Sequence, residues 1–271
     1  EAYEEWGMES VSRFRGMFAF ALWDAGARKL ILCRDRAGVK PLYYYKKDGL
    51  VLFASELKAL HRHPEFKKEI DHEALALFLQ FGYIPAPHTI FQNTFKLQPG
   101  SYLEIDTLGG SREVRYWDIA SLYRLGSFQK SEEEIVEELE SILLESFRYR
   151  LVADVPVGIF LSGGLDSSTV AALLRNRTGA PTKTFTIGFH EKGYDEAPFA
   201  KRIAHYLGTE HHELYCTKEM AASVIPQLPD MYDEPFGDSS AIPTHLISKF
   251  AREQVKVVLS GDGGDELFGG Y

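Results

Sequence analysis

This sequence of 271 residues lacks the features of a secreted, membrane or nucleic-acid-binding protein. Its 2 cysteines are too few for a disulfide framework and lack the spacing of a zinc site, which favours a cytoplasmic protein. No apolar run reaches the ~20 residues of a membrane-spanning helix, and no signal-peptide pattern is present. With 30 Lys and Arg against 39 Asp and Glu, the net charge is -9, so neither a nucleic acid nor a membrane is an expected partner.

The residues that are present favour two folded domains. A hydrophobic content of 45% over this length is enough to bury a core in each. Position 1 is Glu and not Met, and Tyr271 directly follows a glycine-rich motif. The sequence is therefore expected to be a fragment of a longer protein, cut at both ends.

Residues 10–60 alternate short apolar runs with turn residues, which is typical of antiparallel strands. Asp48 and Gly49 between two aromatic and aliphatic runs predict a β-hairpin. Asp71 can cap a helix with apolar residues at helical spacing, and a last strand is expected over residues 101–105. The first part of the chain is thus predicted to be antiparallel sheet with some helix.

Residues 107–130 are irregular and contain several glycines, which predicts a linker. Ser131 and Glu134 then form a capping-box pattern ahead of an amphipathic helix over residues 132–150. Apolar strands alternate with helices in the rest of the chain, which predicts a mostly parallel sheet covered on both faces. The expected strands cover 155–161, 183–189, 211–215 and 255–259, and the expected helices cover 166–177, 196–207, 218–229 and 240–253.

The most specific motif, FLSGGLDSS over residues 160–168, joins a buried strand to a helix. Its glycines allow a close backbone approach, while the hydroxyls and the helix N-terminus supply donors for a phosphate. It is not a Walker A loop, because the chain contains no Gly-Lys pair, and it is not a nucleophile elbow, because position 160 is Phe. A carboxylate beside bound phosphates needs a cation between them, so Asp166 is predicted to hold Mg²⁺.

A second motif, SGDGGDELFGG over residues 260–270, follows another predicted parallel strand. Open α/β sheets bind their ligands at the carboxyl ends of the strands, so both motifs are expected at one edge. The second motif adds three carboxylates to that edge, namely Asp262, Asp265 and Glu266.

The first motif resembles the pyrophosphate-binding loop of the N-type ATP pyrophosphatases, and the two motifs together resemble glutamine-dependent asparagine synthetases. Three earlier stretches resemble the second half of that family's class II glutaminase domain; they are RGMFAFALWD at 15–24, RDRAGVKPLY at 34–43 and FASELKAL at 53–60. The resemblance covers nearly the whole chain.

The resemblance implies two domains of different fold. Residues 1–106 would be a partial class II glutaminase domain, an Ntn-type antiparallel α+β sandwich without its N-terminal half. Residues 107–130 would be the linker, and 131–271 an α/β parallel-sheet ATP pyrophosphatase domain, similar to adenine nucleotide α-hydrolases and shortened at its C-terminus.

The implied activity is a carbon–nitrogen ligase reaction. Aspartate attacks the α-phosphate of ATP to give β-aspartyl-AMP and Mg-pyrophosphate, and ammonia drawn from glutamine then displaces AMP to form asparagine. The implied cofactors are ATP and Mg²⁺, and a homodimer is compatible with the family.

The resemblance also implies site residues, carried over by position. The residues that would contact pyrophosphate are Ser162, Gly163, Gly164, Asp166 and Ser167, and the Mg²⁺ ligands would be Asp166 and Asp265. The nucleoside would contact Phe160 or Leu161, Ile187, Ser260 and Gly261. The catalytic residues would be Asp262, Asp265 and Glu266.

The sequence departs from the family at two points. Many members have Glu where Asp262 stands, and the family's glutaminase nucleophile is an N-terminal Cys, whereas residue 1 is Glu. Cys33 lies within a predicted strand and is expected to be a buried, inert thiol. This chain alone is therefore expected not to hydrolyse glutamine.

Two other functions stay open on the residues alone. A β-lactam synthetase or lasso-peptide cyclase would adenylate a carboxylate in the same way and use an internal amine, and a noncatalytic nucleotide-binding module would keep the loops without the reaction. An acidic cluster around Pro235 is also open to two interpretations, a solvated loop or a site for the amino group of the substrate; it contains Asp230, Asp233, Glu234 and Asp238.

Overall fold

The computed structural model describes residues 1–127, 129–178, 182–191 and 193–270. The chain divides into two compact units. The first unit comprises Glu1–Phe128 and Pro229–Asp238, and the second comprises Gln129–Leu228 and Ser239–Tyr271. Each unit has its own sheet structure and its own hydrophobic core.

The strands of the first unit form two antiparallel sheets. One sheet has the order β1-β2-β6-β7 and the other β4-β3-β5, and the paired strands run antiparallel throughout. The sequence alternation predicts antiparallel strands in this part of the chain, and these are confirmed. The strands are β1 (Ala19–Asp24), β2 (Lys29–Arg34), β3 (Tyr43–Lys47), β4 (Leu50–Ala54), β5 (Thr94–Lys96), β6 (Ser101–Asp106) and β7 (Ser111–Arg115).

The predicted hairpin is confirmed at β3 and β4. Lys47 is paired with Leu50, so the turn consists of Asp48 and Gly49, which have φ values of 50° and 80°. Two consecutive residues with positive φ match the twist of the flanking strands, and an Asp-Gly pair adopts that conformation at low cost.

The helices of the first unit are short apart from one. Asp71 caps that helix, α3, because its carboxylate accepts the N–H groups of Glu73 at 2.9 Å and Ala74 at 3.1 Å. Gly82 ends α3 in the left-handed conformation. The helices are α1 (Ala2–Trp6), α2 (Leu57–Leu60), α3 (His72–Phe81) and α4 (Ile119–Tyr123), with a 3-10 helix over Gly7–Arg13.

The segment 107–130, which the sequence predicts as a linker, contains β7 and α4. β7 pairs with β6 at the edge of the four-stranded sheet. Val114 is its one apolar residue and its one half-buried side chain, so the strand has almost no hydrophobic pattern. An edge strand of this kind is held by backbone hydrogen bonds, which composition does not reveal.

The first unit buries charged groups with their partners. The Arg34 guanidinium donates to the carbonyls of Gly38, Lys40 and Leu97 at 2.6, 2.9 and 2.8 Å. The neighbouring Asp35 is 1% exposed, and its carboxylate accepts backbone N–H groups from Phe18, Val39 and Lys40. These two side chains tie loops of the unit together.

The second unit is a parallel four-stranded sheet with the order β10-β9-β8-β11, as the alternation of apolar strands and helices predicts. Its strands are β8 (Val157–Phe160), β9 (Lys183–Phe189), β10 (Glu210–Cys216) and β11 (Val257–Leu259). Its helices are α5 (Glu132–Arg150), α6 (Leu165–Thr178), α7 (Ala197–Leu207), α8 (Lys218–Val224), α9 (Leu228–Met231), α10 (Ala241–Arg252) and α11 (Gly264–Phe268), with a 3-10 helix over Ile225–Gln227.

Helices cover both faces of this sheet. Ile159 and Leu161 pack against α6 and α7 on one face, and Phe185 packs against α10 on the other. A Cβ on Gly158 would lie 2.7 Å from the Phe185 ring, so glycine allows the close packing of β8 on β9. The predicted capping box is present, since Ser131 Oγ accepts the Glu134 N–H at 3.2 Å and the Glu134 carboxylate accepts the Ser131 N–H at 2.9 Å.

None of the helices in the described ranges is long and apolar enough to cross a membrane.

Candidate active site

The first predicted loop lies between β8 and α6, at the carboxyl edge of the parallel sheet. Gly163 has a φ of 88°, and a Cβ on it would lie 2.9 Å from the backbone nitrogen of Ala200. The loop therefore turns against the first part of α7 in a conformation that requires glycine.

The hydroxyl groups of this loop bond to the loop itself. Ser167 Oγ accepts the Ser162 N–H at 3.1 Å and lies 2.9 Å from Ser162 Oγ. Ser162 Oγ in turn accepts the Gly164 N–H at 3.2 Å. Ser167 is 7% exposed, whereas Ser162 is exposed. Ser167 thus supports the loop from inside, and Ser162 presents its hydroxyl to solvent.

Backbone N–H groups at the start of α6 face the same loop. The first bond of the helix runs from Ser168 N to Gly164 O at 3.2 Å, so the amides of the preceding first turn have no carbonyl partner within the helix. Such amides and the helix dipole attract an anion. Together with the Ser162 hydroxyl, they form a set of donors that suits a phosphate group.

The second predicted loop follows β11 and leads into α11. Gly263, with a φ of 91°, makes the turn into the helix. The Ser260 hydroxyl donates to the Asp262 carboxylate at 2.9 Å. Asp262 and Glu266 are exposed and Asp265 is half-buried, so this turn presents acidic side chains to solvent.

The two loops are in direct contact. β8 and β11 are neighbouring parallel strands, so the loops that follow them meet at one edge of the sheet. A Cβ on Gly261 would lie 2.9 Å from Ser167 N, and a Cβ on Gly264 would lie 2.6 Å from the Asp166 carboxylate. The structure therefore brings Asp166 against the backbone that immediately precedes Asp265.

Apolar side chains adjoin the first loop. Phe160 and Ile187 are half-buried and pack against the cluster around Phe185. Leu161 is 1% exposed and lies in the core beneath α6 and α7. The sequence leaves Phe160 and Leu161 open for nucleoside contact. Of these two, Phe160 is the residue whose side chain is partly exposed.

The carboxylates at this edge have the donor chemistry of a Mg²⁺ site. Within the described residues, no three His, Cys, Asp or Glu side chains gather into a metal site of their own. Mg²⁺ keeps several waters and commonly takes one or two protein carboxylates together with substrate phosphates. One carboxylate from each loop, Asp166 and Asp265, therefore fits an ion that binds together with a nucleotide.

Neither cysteine has the surroundings of a nucleophile. Cys33 is 0% exposed in β2, and burial raises the pKa of its thiol to about 12. Cys216 is buried as well, and burial also raises the pKa of its thiol. The expectation that Cys33 is a buried core residue is confirmed, and because nucleophilic attack requires the thiolate, we expect this thiol to be inert.

In the acidic cluster around Pro235, the structure corrects the prediction of a solvated loop for two residues, Asp233 and Glu234. The Asp233 carboxylate accepts the Leu57 N–H at 2.6 Å and the Lys58 N–H at 3.4 Å, at the start of α2. Glu234 forms an ion pair with Lys96. Groups of the first unit that are far away in sequence bind these two carboxylates, whereas Asp230 and Asp238 are exposed. A site for the amino group of the substrate stays a prediction.

Glu234 is enclosed on several sides. It also accepts the Ile90 N–H at 3.3 Å, and the side chains of Lys96 and Glu234 are 15% and 13% exposed. Burial raises the pKa of Glu234, although the Lys96 ammonium and the Ile90 amide oppose the shift. The pair therefore anchors the segment 229–238 within the first unit.

One buried hydroxyl near the loop is not singled out by any motif. Thr186 in β9 is 2% exposed and donates to the carbonyl of Leu161, directly before Ser162. In the sequence, Thr186 is marked only as a polar residue that alternates with apolar residues inside a buried strand.

The two antiparallel sheets of the first unit and the parallel sheet of the second belong to two domains of different fold. Sequence comparisons agree with both halves. The glutamine amidotransferase domain matches residues 1–117, and the asparagine synthase family matches residues 138–271.

Curated relatives identify the family. The chain is 42% identical to a putative glutamine-hydrolysing asparagine synthetase 2 of Methanocaldococcus jannaschii over 99% of its own length and 52% of the relative's. It is 36% identical to glutamine-hydrolysing asparagine synthetase 1 of Bacillus subtilis, over 99% of its own length and 42% of the relative's. The chain belongs to the glutamine-hydrolysing asparagine synthetase family.

Among solved structures, an NMN synthetase from Francisella tularensis is similar with a TM-score of 0.36 and 21% identity, over 53% of this chain and 59% of that one. The chain spans about half the length of the curated relatives it matches.

Proposed function

We propose that the protein of which this chain is part converts aspartate to asparagine with ATP, through a β-aspartyl-AMP intermediate. The observation that carries the proposal is the contact between the two loops, in which Gly261 lies against Ser167 and Gly264 against the Asp166 carboxylate. A donor-rich loop for phosphate and a loop of carboxylates are thereby combined at one edge of the sheet. That combination suits a reaction in which pyrophosphate leaves.

In this proposal the first loop binds the β- and γ-phosphates of ATP. The amides at the start of α6 and the Ser162 hydroxyl donate to the phosphate oxygens, as at other helix N-termini. Ser167 keeps the loop in shape, because its hydroxyl is engaged by Ser162. Because the donors are already fixed before the nucleotide binds, the entropy cost of ordering them on binding is lower.

Asp166 and Asp265 would hold Mg²⁺ together with the phosphates. A bound Mg²⁺ neutralises charge that builds on the pyrophosphate leaving group. The nucleoside would lie beside Phe160 and Ile187, with Ser260 and Gly261 close to the ribose or base. These apolar side chains offer a partly exposed surface to a flat ring.

Asp262 and Glu266 are the exposed carboxylates of the second loop, and we assign them to the aspartate half of the reaction. Asp262 accepts the Ser260 hydroxyl at 2.9 Å, which orients its carboxylate over the loop. In that position it can receive a proton from the attacking ammonia.

The nitrogen source of the whole protein, in the same proposal, is ammonia released from glutamine. No described residue of this chain supplies the nucleophile, since both cysteines are buried. The first unit would therefore contribute part of the glutaminase scaffold, and the thiol would come from elsewhere in the protein.

The test is the aspartate-dependent exchange of labelled pyrophosphate into ATP, measured in the protein that carries this chain and without any nitrogen donor. Adenylation precedes attack by the amine, so this exchange isolates the first step. Asp265→Asn should reduce kcat for exchange about 100-fold or more, and the KM for ATP should rise less, because the metal stabilises the transition state more than the ground state.

Asp154→Asn is the matched control. Asp154 is exposed and precedes β8, at the end of the strand away from the loops, and its loss should leave exchange unchanged. If Asp265→Asn left the exchange intact and slowed only amide formation, the residue would belong to the second step and the metal would be misplaced. Absence of any exchange in the parent protein would contradict the proposed function itself.

A further inference from the structure

A single peptide group at the end of β8 is held from both sides by buried hydroxyls. This group consists of the Leu161 carbonyl and the Ser162 N–H. The carbonyl accepts a hydrogen bond from Thr186 Oγ1, and the N–H donates to Ser167 Oγ at 3.1 Å. Thr186 and Ser167 are 2% and 7% exposed, so water does not compete effectively for either bond.

The position of this peptide explains why a hydroxyl is needed. β8 and β9 pair in parallel up to Phe160 and Phe185, and the Leu161 N–H still donates to the Phe185 carbonyl at 2.9 Å. The chain then leaves the sheet to form the loop. The Thr186 hydroxyl bonds the carbonyl that the next rung of a regular ladder would use, and it does so at the point where the two strands part.

A second threonine on the same strand shows that burial alone does not account for Thr186. Thr184 and Thr186 are two residues apart and therefore face the same side of β9. Thr184 is 0% exposed, and its hydroxyl lies 3.0 Å from Thr209 Oγ1 and 2.9 Å from His211 Nδ1. Both threonines satisfy their buried hydroxyls, but only the bond of Thr186 reaches the loop.

We propose that Thr186 is a positioning residue for the nucleotide-binding loop. Together with Ser167 it fixes the plane of the peptide between Leu161 and Ser162, and thereby the direction in which the chain enters the loop. The inference rests on the proposed function, because it assumes that this loop binds the phosphates of ATP. It adds a residue that touches neither the nucleotide nor the metal.

The physical reason is the cost of an unpaired carbonyl. Val has nearly the shape of Thr without the hydroxyl, so Thr186→Val would leave the Leu161 carbonyl buried without this donor. A buried acceptor without a partner is unfavourable, and the peptide can recover a partner only by rotating toward solvent. That rotation would turn the Ser162 N–H away from Ser167 and misalign the donors that follow.

The experiment compares three variants in the protein that carries this chain. Thr186→Val removes the bond to the loop, Thr184→Val removes an equally buried hydroxyl from the same face of the same strand, and Thr186→Ser restores the donor. The dissociation constant of ATP in the presence of Mg²⁺ is measured by calorimetry. The KM for ATP and kcat are measured by pyrophosphate exchange, and the melting temperature is measured for each variant.

Thr186→Val should weaken ATP binding about tenfold or more, which is the scale of one buried hydrogen bond. The KM for ATP should rise by a similar factor, and kcat should fall less. Thr184→Val should lower the melting temperature as Thr186→Val does, yet keep its ATP affinity within about threefold of the parent. Thr186→Ser should bind ATP like the parent.

Two results would overturn the inference. One is a folded Thr186→Val variant with the ATP affinity of the parent. The other is a loss of ATP affinity in Thr184→Val that equals the loss in Thr186→Val, because the cause would then be a general weakening of the strand. If Thr186→Val does not fold, Thr186→Cys takes its place with the same two criteria, since a thiol is only a weak donor. A parent protein that binds no ATP would instead refute the proposed function.

Discussion

Buried charged side chains of the first unit and the carboxylates at the loop edge of the second have opposite roles. In the first unit, Arg34 and Asp35 are bonded to backbone groups, and Glu234 is paired with Lys96 and buried. In the second unit, Asp166 and Asp265 lie at a loop edge and, among the described residues, have no ion-pair partner. A charge that is bonded inside the protein stabilises the fold, whereas an unpaired carboxylate beside phosphate donors is available to a ligand.

The same contrast explains why the acidic clusters of the sequence have different roles. Both the segment around Pro235 and the loop from Ser260 are acidic and contain glycine. In the first, Asp233 and Glu234 are bonded to amides and a lysine of the first unit, while the carboxylates of the second remain at the sheet edge. Composition does not distinguish the two, and the hydrogen-bond partners do.

The largest effect that we expect from the contrast between bonded and unpaired charges is the loss of stability in Lys96→Met. The change leaves Glu234 buried without its cation, so the free energy of unfolding of the first unit should fall by about 3–5 kcal/mol. All 3 tryptophans of the chain, Trp6, Trp23 and Trp117, lie in the first unit. Tryptophan fluorescence during denaturation by urea therefore reports on that unit.

The control for this experiment is Lys47→Met. Lys47 lies 3.6 Å from Glu69 in a more exposed ion pair, whose side chains are 33% and 53% exposed. Exposed pairs contribute less than about 1 kcal/mol, so this variant should unfold nearly like the parent. If the two lysine variants lost equal stability, the buried pair would not be the anchor described here.

A second expected outcome concerns the thiols. Incubation of this chain with glutamine should release no ammonia above background, because burial raises the pKa of Cys33 to about 12 and Cys216 is buried as well. The measurement is ammonia release, with and without Cys33→Ala. Activity that disappeared in Cys33→Ala would mean that the core thiol is a nucleophile after all.

The smallest expected effect is a pH dependence in the second unit. Burial lowers the pKa of His211, with Lys201 and His212 acting in the same direction and Glu213 against it. In the unfolded chain this histidine takes up a proton below about pH 6.5, while in the folded unit it stays neutral to lower pH. The unfolded state then binds more protons, so stability should fall as the pH drops from 7 to 5.

His211→Gln should remove part of that loss. The effect is bounded by about 1.4 kcal/mol for each pH unit, and calorimetric melting at pH 7 and pH 5 measures it. If the parent and the variant lost the same stability between pH 7 and pH 5, the pH dependence would come from other groups.

Much of the fold follows from local patterns in the sequence. The Asp-Gly hairpin, the Asp71 cap, the capping box at Ser131 and the parallel strands each depend on residues close together in the chain, and each is present. β7 was not predicted, because backbone pairing at a sheet edge leaves little hydrophobic pattern. The position of segment 229–238 depends on partners more than 100 residues away.

The candidate site shows the same division. Two glycine-rich motifs after apolar strands are enough to predict that their loops share an edge of a parallel sheet. The partner of each hydroxyl is not encoded in a motif, so the inward role of Ser167 and the bond from Thr186 to Leu161 emerge only from the structure.

The most direct measurement of the central claim is the affinity of Asp166→Asn for ATP, determined by calorimetry with Mg²⁺ and again with a chelator. The substitution keeps the shape of the side chain and removes the charge that would hold the metal. We expect the affinity for Mg-ATP to fall about tenfold or more and the stability of the second unit to be unchanged. The affinity for ATP without metal should not fall, because the variant lacks the carboxylate that repels the phosphates. Equal affinity for Mg-ATP in the variant and the parent would contradict the account, since an unpaired carboxylate at this edge would then hold no ligand.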